Sequence, residues 1–170
     1  TALRVVSLSF VFSLIFLIAA LLMAVYALHL RDTMQHVAGM VYAGAAVAAC
    51  LAGDLLTLFI YWELTAVASV FLIWARRTER AYRVGMRYLL IQVASGLLLL
   101  AGAAVQAHET GSLSFDHIGL DAPGGWLLFP AFAIKCALPL LHNWLQDAYP
   151  ELTVTCTGVL SAFTLSLFHT

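Results

Sequence analysis

The chain contains few charged residues. They occupy 10% of its 170 positions, whereas hydrophobic residues occupy 63%. Soluble globular domains carry about 25% charged residues, so this scarcity excludes a disordered chain and an ordinary soluble enzyme. Eight basic and nine acidic residues give a net charge of −1, so the chain also lacks the basic excess expected of a nucleic-acid-binding protein. The composition is that of an integral membrane protein, with the lipid bilayer as its surroundings.

Cysteine is also scarce. The three cysteines, Cys50, Cys136 and Cys156, are far apart, and none belongs to a CxxC motif. We interpret them as small core residues, which excludes a disulfide framework. Gly-rich nucleotide loops, paired metal-ligand spacings and a Ser-His-Asp order are missing from the sequence. We therefore expect no cofactor and no metal, and we expect that the chain is not itself an enzyme.

Six apolar segments account for most of the sequence. A helix needs about 20 mostly apolar residues to cross a bilayer. We predict an all-α integral membrane protein that forms a single transmembrane domain over 1–170, with five spanning helices and an incomplete sixth. The predicted spans are 5–30, 33–53, 54–75, 84–107, 126–141 and 153–168.

Two of the predicted loops differ sharply in charge. The loop between the third and fourth spans, with the start of the fourth, holds five of the eight basic residues: Arg76, Arg77, Arg80, Arg83 and Arg87. The loop at 108–125 holds three acidic residues and no Lys or Arg. The positive-inside rule therefore predicts that the first loop is cytoplasmic and the second external.

Two formal charges, Glu63 and Lys135, lie deep in apolar segments. An ionisable residue at mid-bilayer costs about 2.5–3.5 kcal/mol even on the lenient insertion scale, and such residues mark ion routes. At 1.5 Å per residue, Glu63 is about 13 Å and Lys135 about 15 Å from the outer ends of two parallel spans, so the two can pair. Opening and closing the pair would change the proton affinity of the lysine. The alternative is a static ion pair that only fixes two helices.

Pro139 follows Lys135 by four residues and lacks the N–H that would bond the lysine carbonyl. We predict that the fifth helix is broken there, as in the ion sites of transporters, and the alternative is a simple kink. His142 follows the proposed break. It is either a proton relay to Lys135 or an interfacial histidine held by the backbone.

Three stretches carry a family resemblance: Tyr61-Trp62-Glu63-Leu64, the run GMRYLLIQV from Gly85 and the run AIKCALPLLHNWLQDAYPE from Ala133. They resemble the antiporter-like membrane subunits. This family includes the proton-pumping subunits of respiratory complex I and the large subunits of Mrp-type multisubunit sodium/proton antiporters. The run TVTCTGVLSAFT from Thr153 is most similar to the Mrp branch, and within it to the large subunit of the D type.

The resemblance implies roles for four residues. Glu63 matches the family's fifth-helix glutamate, which pairs with and tunes the seventh-helix lysine that Lys135 matches. Pro139 and His142 match the break and the histidine that follow. The chain would then hold the first half of an inverted-repeat antiporter fold, which forms one half-channel. The implied partners are other membrane subunits of an Mrp-type antiporter or complex I-like assembly, with protons and sodium as ions. The implied location is the bacterial cytoplasmic (inner) membrane.

The end of the sequence departs from the family pattern. The family's eighth helix carries a lysine or histidine, expected at Ser166, and His169 is the candidate substitute as a proton relay. Gln146 stands where the family has proline. The second inverted repeat is absent, so we expect a truncated chain.

Two functions remain open. One is an ion-translocating subunit that couples proton movement to sodium or to redox chemistry elsewhere. The other is a transport-inactive structural or assembly fragment of the same family. A catalytic NADH dehydrogenase subunit fits least well, since any oxidoreductase label would belong to the whole complex.

Overall fold

The computed structural model describes residues 3–29, 31–113, 115, 121–138 and 142–160. The described chain is helical and contains no strand, although a single antiparallel bridge joins Leu3 and Ala52. The prediction of an all-α protein is confirmed. The helices are α1 (Ser7–Ala27), α2 (Thr33–Cys50), α3 (Leu55–Trp74), α4 (Glu79–Thr110), α5 (Gly125–Lys135), α6 (Asn143–Ala148) and α7 (Val154–Leu160), with a 3-10 turn at Tyr149–Glu151.

Three helices, α1, α3 and α4, are long and apolar enough to cross a membrane. The 18-residue helix α2 corresponds to the predicted second span. The predicted fifth span at 126–141 is shorter in the structure, because α5 has 11 residues and ends at Lys135. Such a helix rises about 16 Å, roughly half of the ~30 Å hydrocarbon core. The predicted sixth span begins as α7, and its part beyond residue 160 lies outside the described residues.

The predicted loop at 76–83 is partly helical. Helix α4 begins at Glu79, so Arg80 and Arg83 lie on its first turns. The reason is local: the Thr78 hydroxyl caps the helix by accepting a hydrogen bond from the Ala81 N–H at 3.0 Å. With 32 residues, α4 is about 48 Å long and exceeds the ~30 Å hydrocarbon core. Its arginine-bearing start can therefore extend into the interfacial region.

Close contacts between small residues set the positions of the helices that follow. Gly102 of α4 lies against Gly124, which precedes α5, because a Cβ at Gly124 would collide with the Gly102 carbonyl oxygen. A Cβ at Gly102 would come within 2.7 Å of the Leu128 side chain. Small residues let helix backbones approach closely in lipid. The contact places α5 antiparallel to α4 and starts it at the end of the bundle opposite the arginines.

The arginine-rich end of the bundle is held together by ion pairs. Arg80 pairs with the buried Glu151 at 2.8 Å, and Arg87 pairs with Asp147 at 2.9 Å. These pairs join the start of α4 to the segment after Lys135. At the same end, a hydrogen bond donated by the Gln35 side chain, the largest of several causes, lowers the pKa of the Asp32 carboxyl.

The orientation of α4 leads to a labelling prediction. We expect a membrane-impermeant maleimide to label Glu109→Cys on intact cells, and to label Arg83→Cys only after permeabilisation, because arginine-rich ends face the cytoplasm. Both residues are exposed and lie near opposite ends of α4. The control is the parent protein with its native cysteines. Labelling of Arg83→Cys but not of Glu109→Cys on intact cells would reverse the orientation.

Candidate functional site

Lys135 lies at the C-terminal end of α5 and is buried, with 3% of its surface exposed. Its Nζ has no hydrogen-bond partner among the described residues. The Nζ lies 4.8 Å from the centroid of the Trp62 ring, which is within cation–π distance. Phe132 packs edge-on against Trp62 at 5.1 Å between centroids. Lys135 therefore carries a titratable amine into a buried, aromatic region of the bundle.

Helix α5 ends at Lys135 through a specific turn. The Leu138 N–H donates to the Ala133 carbonyl at 3.1 Å, and the Ala137 N–H donates to the Ile134 carbonyl at 3.2 Å. These two bonds are those of a Schellman motif, in which the residue at Ala137 takes a left-handed conformation, here with φ of 52°. Pro139 lies outside the described residues, so its part in the break stays a prediction.

The end of α5 provides a favourable electrostatic environment for a cation. A helix carries roughly half a negative charge at its C-terminus, within the last turn. Lys135 is in that turn. The Trp144 indole N–H donates to the Ile134 carbonyl at 3.0 Å, which anchors the start of α6 beside the same turn. The protonated amine is thus stabilised by the helix end as well as by the aromatic ring.

Glu63 lies near the middle of α3, half-buried, and its Oε1 is buried without a hydrogen-bond partner. It packs against α4 at Gly96, where a Cβ would collide with Oε1. Glu63 directly follows Trp62, and Lys135 Nζ lies 4.8 Å from the centroid of the Trp62 ring, so the two charged residues belong to the same part of the bundle. No ion pair within 4.0 Å forms between these two described residues, and neither charged group hydrogen-bonds to the other. The structure brings the two predicted residues together without direct contact.

Two polar residues of α4, Gln92 and Ser95, also belong to this region, and neither is predicted from the sequence. Both are fully buried at 0% exposure. The Trp62 indole N–H donates to Ser95 Oγ at 3.4 Å, and Ser95 Oγ donates to the Gln92 carbonyl at 2.7 Å. A polar pair three residues apart in the apolar span 84–107 is the signal that could have revealed them, although neither carries a charge.

Nearer the arginine-rich end of the bundle, α3 and α4 make a further polar contact. Ser69 Oγ and the Tyr88 hydroxyl lie 2.9 Å apart, and both side chains are buried. The Tyr88 ring packs against Trp144 at 5.4 Å between centroids. Polar groups therefore occur at successive levels of the α3–α4 interface, from Glu63 towards the arginine-rich end.

Of the two candidate relay histidines, His142 lies among the described residues and His169 does not. His142 precedes α6 and is half-buried, and its Nδ1 is buried without a hydrogen-bond partner. The hydrogen bond from Trp144 to Ile134 holds the start of α6 beside the C-terminal end of α5. His169 lies outside the described residues. Within the described ranges, no group of three His, Cys, Asp or Glu side chains could hold a metal ion.

Comparison with known proteins identifies the family. Residues 52–168 match the family described as the transmembrane part of NADH:quinone oxidoreductase and Mrp antiporters. The chain belongs to this family. The match includes Glu63, Lys135 and His142 and confirms the resemblance drawn from the three sequence stretches. The chain is therefore a multi-pass membrane protein.

Curated relatives are similar over part of their length. NADH-quinone oxidoreductase subunit N from Deinococcus radiodurans is 28% identical over 120 residues, which cover 61% of this chain and 24% of that protein. NAD(P)H-quinone oxidoreductase chain 4 1 from Synechococcus elongatus is 29% identical over 157 residues, which cover 86% and 29%. The chain therefore spans about a quarter of the length of these relatives.

Solved structures share the fold. A chain of respiratory complex I from Thermus thermophilus matches with a TM-score of 0.80 at 21% identity, covering 98% of this chain and 40% of that one. A chain of the Mrp complex from Dietzia sp. matches with a TM-score of 0.74 at 20% identity, covering 92% and 33%. The helical arrangement of this chain is thus the one found in membrane subunits of multisubunit complexes.

Proposed function

We propose that the chain translocates protons as a subunit of a cation/proton antiporter or of a complex I-like membrane complex. The observation that supports this most is Lys135: a buried amine without a hydrogen-bond partner among the described residues, at the end of a helix that stops inside the bundle. Ionisable residues at membrane depth are costly and are found where ions move. The proposed partners are other membrane subunits, and the proposed location is the cytoplasmic (inner) membrane of a bacterium.

In the proposed mechanism, Lys135 alternates between a charged and a neutral form. Three features stabilise the ammonium: the Trp62 ring, the C-terminal end of α5 and the nearby Glu63 carboxylate. The buried, aromatic surroundings favour the neutral amine. A movement of Glu63 towards or away from the lysine would change this balance, so the proton is taken up in one arrangement and released in the other.

The proposed inner route passes His142. Its buried Nδ1 lacks a partner among the described residues, and the adjacent α6 is anchored beside the inner end of α5. An imidazole has one nitrogen that donates and one that accepts a hydrogen bond, which suits a relay between a buried amine and the aqueous phase. We propose His169 as a second relay on the strength of its position in the sequence.

The function is tested in inverted membrane vesicles from the source organism, with variants introduced into the chromosomal gene. A pH-sensitive dye records acid loading driven by NADH and its release after addition of Na⁺ or K⁺. The readout is the activity that wild-type membranes show above membranes from a deletion strain. Equal activity in both strains would contradict the proposed function.

Replacement of Glu63 by glutamine is expected to reduce this activity to about one tenth. The neutral amide no longer attracts the Lys135 ammonium, and a loss of about 1.4 kcal/mol changes an equilibrium tenfold. The matched control is Glu79→Gln on the exposed first turn of α4, which should transport normally. Wild-type activity of Glu63→Gln would leave the glutamate with a structural role only.

A further inference from the structure

Gln92 carries a buried amide that the described part of the protein does not satisfy. The residue is completely buried, and neither Nε2 nor Oε1 has a hydrogen-bond partner among the described residues. A buried polar group left unpaired is energetically costly. Buried polar groups without a protein partner are usually bonded to ordered water. The Gln92 side chain is therefore a place where the bundle can hold water.

The helix register places Gln92 at the depth of Lys135. Helices α4 and α5 run antiparallel from the contact between Gly102 and Gly124. Gln92 is ten residues from Gly102, and Lys135 is eleven residues from Gly124. At 1.5 Å per residue, these separations are about 15 Å and about 16 Å. The amide and the amine lie at one level of the bundle.

Gln92 also lies on the face of α4 that packs against α3 and α5. With Ser95, Leu99 and Gly102 it forms a stripe at helical spacing, and all four are buried. Leu99 packs in one cluster with Leu128 of α5 and Trp62 of α3. The stripe therefore follows the boundary where those two helices meet.

Trp62 links this stripe to both charged residues. Its indole N–H donates to Ser95, which in turn donates to the Gln92 carbonyl, while Lys135 Nζ lies over its ring. Glu63, the next residue along α3, packs against Gly96, one residue after Ser95. The neighbourhood thus contains four buried polar atoms without partners among the described residues: both amide atoms of Gln92, Glu63 Oε1 and Lys135 Nζ.

We propose that Gln92 is a positioning residue that holds water between Glu63 and Lys135. This inference rests on the proposed function and adds a residue of α4 to it. A buried water makes two to four hydrogen bonds, which the four unpartnered atoms can supply. An amide both donates and accepts, so Gln92 can orient water towards a carboxylate and an amine at once. Protons pass through this water, whereas the Gln92 amide neither gains nor loses a proton.

The variant that tests the proposal is Gln92→Met, which keeps the length of the side chain and removes its polar atoms. Gln92→Asn, which keeps the amide, is the conservative variant. Gln106→Met is the matched control, because Gln106 lies on the same buried stripe of α4, fourteen residues away, and also has an unpartnered Oε1 among the described residues. Each variant is measured by dye-monitored transport in the inverted vesicles.

The second measurement detects the water directly. X-ray radiolysis produces hydroxyl radicals from water, so a buried side chain is oxidised only where water lies beside it. We expect strong oxidation of Trp62 in the wild type, although it is only 1% exposed. Gln92→Met should reduce both Trp62 oxidation and transport several-fold, Gln92→Asn should retain most of each, and Gln106→Met should change neither.

The outcomes separate the two proposals. Negligible wild-type oxidation of Trp62, or unchanged transport in Gln92→Met, would overturn the role of Gln92. Equal transport by wild-type and deletion-strain membranes would instead overturn the proposed function, whatever the oxidation of Trp62. Loss of transport in Gln92→Met with unchanged Trp62 oxidation would also contradict the water-holding role.

Discussion

Replacement of Lys135 by alanine is expected to reduce proton translocation to the level of membranes that lack the protein. The amine is the buried group proposed to take up and release the proton, and alanine offers no titratable atom in its place. Glu63, Trp62 and the end of α5 stay in position, so the fold is retained. Proton movement in the inverted vesicles, normalised to the amount of protein in the membrane, measures the effect.

Lys135→Arg is the matched control for charge. Arginine keeps a positive charge beside Trp62 and Glu63, but its guanidinium does not release a proton at any physiological pH. We therefore expect this variant to be as inactive as Lys135→Ala. Wild-type transport by Lys135→Arg would mean that the site needs a fixed positive charge, and wild-type transport by Lys135→Ala would mean that the proton takes another route.

The two charged residues could be predicted from the sequence because charge in an apolar segment is costly and therefore conspicuous. Glu63 and Lys135 are formal charges deep inside the predicted spans 54–75 and 126–141. Their similar depth follows from counting residues along straight helices. What counting does not yield is the lateral separation of the side chains, which decides whether they form a direct ion pair.

The uncharged polar residues of the site are harder to identify from the sequence than the charged ones, for a physical reason. Uncharged polar residues such as Ser13 and Thr65 also occur in other predicted spans, so Gln92 and Ser95 do not stand out in the sequence. Their importance depends on which face of α4 they occupy, and that is set by the packing of Gly102 against Gly124. This part of the site therefore depends on a tertiary contact, which cannot be read from the amino-acid composition.

The end of α5 shows a similar limit. The residues after Lys135 are as apolar as those before it, so hydropathy extends the predicted span to 141. The helix stops instead at a left-handed turn on Ala137, a residue type that rarely adopts this conformation. Pro130, which could have suggested an earlier break, lies inside α5 without ending it. Hydropathy and the residue type at Ala137 are therefore poor guides to this turn, and the contribution of Pro139, from which a break is predicted, stays a prediction.

Replacement of Gly124 by alanine is expected to destabilise the bundle by about 2–5 kcal/mol. Gly124 has a φ of 78°, where a side chain costs about 1–2 kcal/mol. The new Cβ would also collide with the Gly102 carbonyl oxygen, a backbone atom that cannot move aside without shifting α4. Overpacking of this kind costs about 1–3 kcal/mol more. Thermal unfolding in detergent measures the loss.

Gly111→Ala provides the matched control. Gly111 also has a left-handed conformation, with φ of 68°, but a Cβ there meets nothing within 4 Å. The Gly111→Ala variant should therefore lose only the cost of the left-handed backbone, about 1–2 kcal/mol of the free energy of unfolding. The difference between the two variants isolates the contact between α4 and α5. Since that contact sets the depth at which α5 ends, Gly124→Ala should also displace Lys135 and lower transport, whereas Gly111→Ala should transport normally. Equal stability of the two variants would show that the glycine contact does not position α5.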